Sequence, residues 1–123
     1  MRFYFVYAFL FAAAIIGLVV YLNFNVSAKA VSAVTITLTE KGFEPREVTL
    51  LKGGTVTFRT TTGQQYWPAS NLHPEHTIYP EFDSKLPIAP DKEWSFTFDR
   101  VGSWGFHDHM RSYFAGIIHV VEK

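Results

Sequence analysis

No cysteine occurs anywhere in the 123 residues. Disulfides, thiolate metal sites and cysteine nucleophiles are therefore excluded, and any folded domain must be held by its own apolar core. Neither sign of charge is in excess: eleven Lys plus Arg stand against eleven Asp plus Glu. Without Arg2 and Lys29, the chain from residue 31 carries nine basic and eleven acidic side chains, a difference of minus two. That leaves no basic stripe for nucleic acid, which is not expected as a partner. Amphipathic helical periodicity is also missing after residue 30, so the folded part is expected to be all-β.

The longest uncharged stretch opens the chain. Twenty residues from Phe3 to Leu22 carry no charge, and as a helix they would span about 30 Å, the thickness of a bilayer core. Arg2 precedes them and Lys29 is the next charge, which favours a cytoplasmic N-terminus with the rest outside. Ala28-Lys29-Ala30 has the small-x-small pattern of a signal-peptidase site, but the run is longer than the roughly 7 to 15 apolar residues of a cleaved signal. The favoured division is an anchor with a short linker over 1–30 and an extracytoplasmic domain, periplasmic or extracellular, over 31–123. Cleavage would make the same domain a secreted protein.

That domain alternates like a set of short strands. Val34, Ile36 and Leu38 interleave with Thr35, Thr37 and Thr39, and Val56 and Phe58 with Thr55, Thr57 and Arg59, the period of half-buried strands. Gly53-Gly54, between the Val48-to-Leu50 run and the Val56 run, predicts a hairpin turn. Trp94, Phe96 and Phe98 restore the alternation after a proline-rich connection from Thr60 to Pro90, in which short extended pieces are expected around Tyr66-Trp67 and Thr77-Ile78-Tyr79. Phe58, Trp94, Phe96, Phe98, Trp104 and Phe106 are expected between the sheets of an antiparallel sandwich or barrel.

Histidine is scarce and clustered. Of five, His73 and His76 lie in the proline-rich connection, and His107 and His109 lie in Phe106-His107-Asp108-His109-Met110. In an extended segment alternate side chains share a face about 7 Å apart, so His107 and His109 point one way and Asp108 the other. Imidazole is the commonest protein ligand for copper and zinc. Two such pairs meeting at a sheet end would make a metal site, with Asp108 either a further ligand or the acceptor of a ring N–H. Trp67 would shield it from water. His119 alternates with core residues in the last strand and is expected to face solvent.

Taken in order, Gly42-Phe43-x-Pro45, Val48-x-Leu50, Lys52-Gly53-Gly54-Thr55-Val56-x-Phe58, a loop histidine, Gly102-Ser103-Trp104-x-Phe106 and Gly116-Ile117-Ile118-x-Val120 resemble the cupredoxin family over about residues 33 to 123. The resemblance implies a Greek-key β-sandwich with copper at one end. His76-Thr77-Ile78-Tyr79 is similar to the family's His-Asn-Val-Val element, which makes His76 the better candidate for the first ligand and leaves His73 beside it. Aligned on Gly102-x-Trp104-x-Phe106, Asp108 stands where a blue-copper protein has its cysteine; aligned on Gly116, His109 stands where the family's second histidine does. His107-Asp108-His109 is also similar to the His-Cys-His element of multicopper oxidases, again with Asp for Cys.

The missing thiolate excludes a blue-copper centre, which needs a His₂Cys set. The leading expectation is a membrane-tethered copper-binding protein with a His-rich, non-blue site formed by His73, His76, His107, Asp108 and His109. It would handle copper or transfer electrons, with a redox or copper-delivery protein as partner and zinc as the competing metal. The alternatives are a metal-free sandwich that binds a partner through its loops, and a copper oxidase or reductase completed across a homo-oligomer interface.

Overall fold

The computed structural model describes residues 29–123, together with Tyr7, Leu10, Ala12 and Ile15 before them. Apart from those four positions, the stretch expected to form a transmembrane helix lies outside the described residues. Among the described residues, no helix is long and apolar enough to cross a membrane.

From residue 29 onward the chain consists of strands, turns and loops. The strands are β1 (Val31–Thr39), β2 (Gly42–Glu44), β3 (Glu47–Thr60), β4 (Pro68–Ser70), β5 (Trp94–Phe98), β6 (Gly102–Asp108) and β7 (Arg111–Val121). They lie in the order β2-β1-β3-β7-β6-β4, with β5 added to β3. The period-2 patterns become two faces. Ile36 and Leu38 of β1 and Ile118 and Val120 of β7 are buried, while the outer face carries cross-strand pairs such as Thr55 with Thr97 and Thr57 with Ser95, joined hydroxyl to hydroxyl at 3.0 and 2.8 Å.

The expected hairpin at Gly53-Gly54 does not form. β3 runs unbroken for 14 residues. Its first part, Glu47–Leu51, pairs with β7, and its second part pairs with β1 and β5. Gly53 takes a φ of +78°, and a Cβ on Gly54 would stand 2.7 Å from the Leu51 carbonyl oxygen. The glycines are a corner at which one strand passes from one half of the sandwich to the other, a use glycine shares with turns. Two alternating runs flanking Gly-Gly have the same sequence signature in either case.

Between the halves, aromatic rings fill the core. Phe58 meets Phe106 edge-on at 5.4 Å and Phe43 meets Phe106 at 4.9 Å. Phe98 is also buried, while Trp94, Phe96 and Trp104 are half-buried against the same cluster. In the proline-rich connection the extended pieces fall differently from expectation. Tyr66 makes a single bridge to Ile88, the strand is Pro68–Ser70, and Thr77–Tyr79 is irregular. The connection is tied down by Tyr66, whose hydroxyl lies 2.8 Å from the carbonyl oxygens of both Phe58 and Lys92.

Gly116 of β7 sits opposite Phe106 of β6 with no room for a side chain, since a Cβ there would lie 2.5 Å from the Phe106 ring and 2.6 Å from the Arg46 carbonyl oxygen. Gly116→Ala is expected to lower stability by about 1–3 kcal/mol, the usual cost of overpacking, measured by denaturant unfolding; an unchanged midpoint would show that the contact yields freely.

Candidate metal centre

β4 and β6 build the site. Their antiparallel pairing sets Ala69 opposite His107 and Ser70 opposite Phe106. Along β6, Phe106 enters the core, so His107 faces the other way. It is nevertheless only 2% exposed, because the segment after β4 folds back over it. Three contacts fix that fold: the Asn71 N–H donates to the Gly105 carbonyl at 3.1 Å, the Ile78 N–H donates to the Asn71 carbonyl at 2.8 Å, and buried Ser70 accepts from the Tyr79 N–H at 2.9 Å. Gly105 leaves room for the Asn71 side chain, since a Cβ there would stand 2.6 Å from Asn71 Nδ2. His76 sits at a φ of 55°, the left-handed region in which His is among the enriched non-glycine residues.

The second histidine cluster arises at the β6–β7 turn. Register jumps there: His107 opposes Ala115, but Asp108 opposes Arg111. His109 and Met110 form the turn, and the His109 N–H donates to the Trp67 carbonyl at 2.7 Å.

The four imidazoles converge. His73 Nδ1 lies 3.2 Å from His107 Nε2, and His109 Nδ1 lies 2.9 Å from His76 Nε2. One nitrogen from each of His73, His76, His107 and His109 falls in a group no wider than 4.8 Å. A metal with bonds of about 2.0–2.1 Å to nitrogen sets its ligands about 3.4 Å apart in a tetrahedron and about 4.1 Å apart across a square. The group therefore closes on an ion by inward shifts of under about 1 Å, and its all-imidazole chemistry suits copper(II) or zinc.

Asp108 is not among the converging groups. Its Oδ1 accepts the Trp67 N–H at 2.8 Å and its Oδ2 accepts from Arg111 Nε at 2.7 Å. The residue is fully buried and holds the turn, so the expected ligand and ring-orienting roles fall elsewhere. Asn71 Oδ1 stands 3.0 Å from His107 Nδ1, and Asp83 Oδ2 stands 2.8 Å from His76 Nδ1. Each acceptor draws the ring proton to Nδ1 and leaves Nε2 with its lone pair toward the centre. Asp83 also accepts from Trp67 Nε1 at 2.7 Å, and the Trp67 ring, half-buried, lies 4.4 Å from that of His109. Neither Asn71 nor Asp83 carries a sequence signal. Asp83 is seven residues beyond His76, and the bridge from Ala69 to Asp83 brings it back. Met110 is 47% exposed, and His119 is bound on the outer face to Ser103 and Glu47.

Electrostatics keep the centre receptive to a cation. Burial raises the Asp83 pKa, but hydrogen bonds from Trp67, His76 and the Lys85 N–H outweigh it and hold it at about 2. Burial first, then the imidazoles of His76, His73 and His109, lowers that of His107 from 6.5 to about 4. The same causes lower His109. At neutral pH His107 and His109 are thus uncharged, with Asp83 a fixed anion beside them.

Comparison with solved structures identifies the class of fold: it is the cupredoxin sandwich. A reduced Cu(I) form of amicyanin superposes with a TM-score of 0.62 at 18% identity, over 76% of this chain and 86% of that one. A purple cupredoxin from Nitrosopumilus maritimus superposes with a TM-score of 0.58 at 13% identity, over 72% of this chain and 99% of that one. Neither a family model nor a curated protein sequence matches the chain at a significant level.

The lowered His107 pKa has a signed consequence. The unfolded chain binds the proton more readily, so the group's contribution to metal-free stability is fully present above about pH 6.5 and is lost as pH falls through about 4. Denaturant midpoints of the metal-free protein should fall over that window, and a His107→Gln variant should lose less of its own stability there; equal slopes would contradict the assignment.

Proposed function

We propose that the chain is a copper-binding protein whose mononuclear centre is made of His73, His76, His107 and His109, with no sulfur ligand. The observation that carries this reading is the convergence of four imidazole nitrogens within 4.8 Å at one end of a cupredoxin sandwich. All four belong to one chain, so a centre of this kind needs no second subunit. Asn71 and Asp83 would orient two of the rings, and Trp67 would cover a third. When bound, copper would supply a one-electron couple; without a thiolate the set favours Cu(II), held firmly by its place in the Irving–Williams order, with Zn(II) the competitor. This suits copper holding and delivery, with electron transfer to a redox partner as the other use of the same centre.

The uncharged stretch from Phe3 to Leu22 supports a tether to the cell membrane, with residues 31–123 extracytoplasmic. Copper traffic and redox exchange with a protein partner would then occur at the membrane's outer face.

Titration of the full-length protein with Cu(II) should saturate at one equivalent, with an electron-spin signature of nitrogen ligands and no intense thiolate colour. Asp83→Asn should keep the fold and weaken Cu(II) binding about 10–100-fold, the usual loss for a residue that orients a ligand. Absence of saturable binding, or an Asp83→Asn affinity equal to the parent's, would count against the proposal.

A further inference from the structure

The four imidazoles are not held alike. His107 is buried and braced by Asn71; His76 is buried and braced by Asp83. His109 is fixed by its backbone bond to Trp67 and by the indole against its ring. His73 is exposed. Among the described residues, its one side-chain hydrogen-bond partner is His107 Nε2, reached through Nδ1. That is the same nitrogen His73 would give to an ion, so among the described residues no hydrogen bond on its far nitrogen braces it, and its ring rests only against those of His109 and His107, at 4.7 and 5.2 Å.

Resting on the copper reading above, we infer that the site is a fixed three-imidazole seat closed by a replaceable fourth ligand, His73, and that an outside monodentate nitrogen donor takes its place. The exchange is a ligand substitution without electron transfer. The bond from copper to His73 Nδ1 breaks, a bond to the incoming nitrogen forms, and each nitrogen keeps its own lone pair, so no proton or oxidant is required. Braced and largely covered rings keep their bonds while the unbraced, open one yields. Copper therefore enters and leaves on the His73 side. A free imidazole and a histidine carried on a peptide offer the same chemistry, and they differ in whether the exposed face at His73 admits a chain.

The test uses full-length protein with one equivalent of Cu(II), and affinity is read by competition with a chelator. His73→Ala should lose about tenfold or less, the lower end of what removal of an orienting residue costs, and His76→Ala and His107→Ala should lose more than about 100-fold. Circular dichroism checks the fold, and His76→Gln and His107→Gln replace any alanine variant that misfolds. Free imidazole added to His73→Ala should restore the parent's electron-spin spectrum and leave that of the His107 variant unchanged. A parallel titration with a single-histidine peptide should restore it too, if the donor is carried on a protein; restoration by free imidazole alone places the exchange with small ligands. A His73→Ala loss as large as that of the His107 variant, or no restoration by either donor, overturns the inference while the copper reading stands. Failure of the parent to bind Cu(II) overturns both.

Discussion

Pairing of the three-residue strand β4 with the end of β6 is the constraint on which the site depends. Through it Ala69 lies opposite His107, and the chain leaving β4 has to turn back across the outer face of β6. Asn71 is thereby carried to the His107 ring, and His73 and His76 to the β6–β7 turn. Without this pairing the two histidine clusters would be separated by the thirty residues between His76 and His107. Ser70, buried and bound to the Tyr79 N–H, shows how closely the return path is specified. Its hydroxyl meets a backbone group that would otherwise be left unsatisfied beneath the loop.

Two acidic residues divide the work between chain geometry and electrostatics. Asp108 faces away from the imidazoles and is spent on the backbone of Trp67 and on Arg111, so it shapes the turn that presents His109. Asp83 orients His76 and binds the indole of Trp67, leaving one negative charge at a centre in which His107 and His109 are held neutral, first by burial. A cation entering such a centre would meet the Nε2 lone pairs of His76 and His107 already aimed inward, and a carboxylate that offsets part of its charge. Two of the four donors are thus preset for a metal, and preset donors are the usual condition for firm binding.

Much of this was legible in the chain itself, and the parts that were not have physical reasons. Alternation in Val34, Ile36 and Leu38 and in Ile118 and Val120 reports a half-buried strand directly, because each side chain's environment is decided within its own strand. The two histidine pairs were visible because imidazoles are few and their spacing is local. Gly53-Gly54 misled, since glycine permits a corner and a hairpin turn equally and only pairing partners on other strands decide between them. Asp83 and Asn71 were invisible for a related reason: an orienting residue is defined by closure of the loop, and a single Asp or Asn in a proline-rich connection has no period to mark it. Asp108 was noticed because it lies between two histidines, yet strand alternation already turned it to the opposite side.

X-ray absorption at the copper edge of the Cu(II)-loaded full-length protein addresses the all-imidazole centre most directly. The proposed centre predicts nitrogen neighbours at about 2.0 Å with the outer-ring scattering of imidazole and no sulfur. A sulfur neighbour, which only a methionine such as Met110 could supply, or a coordination sphere without at least three imidazoles, would contradict it.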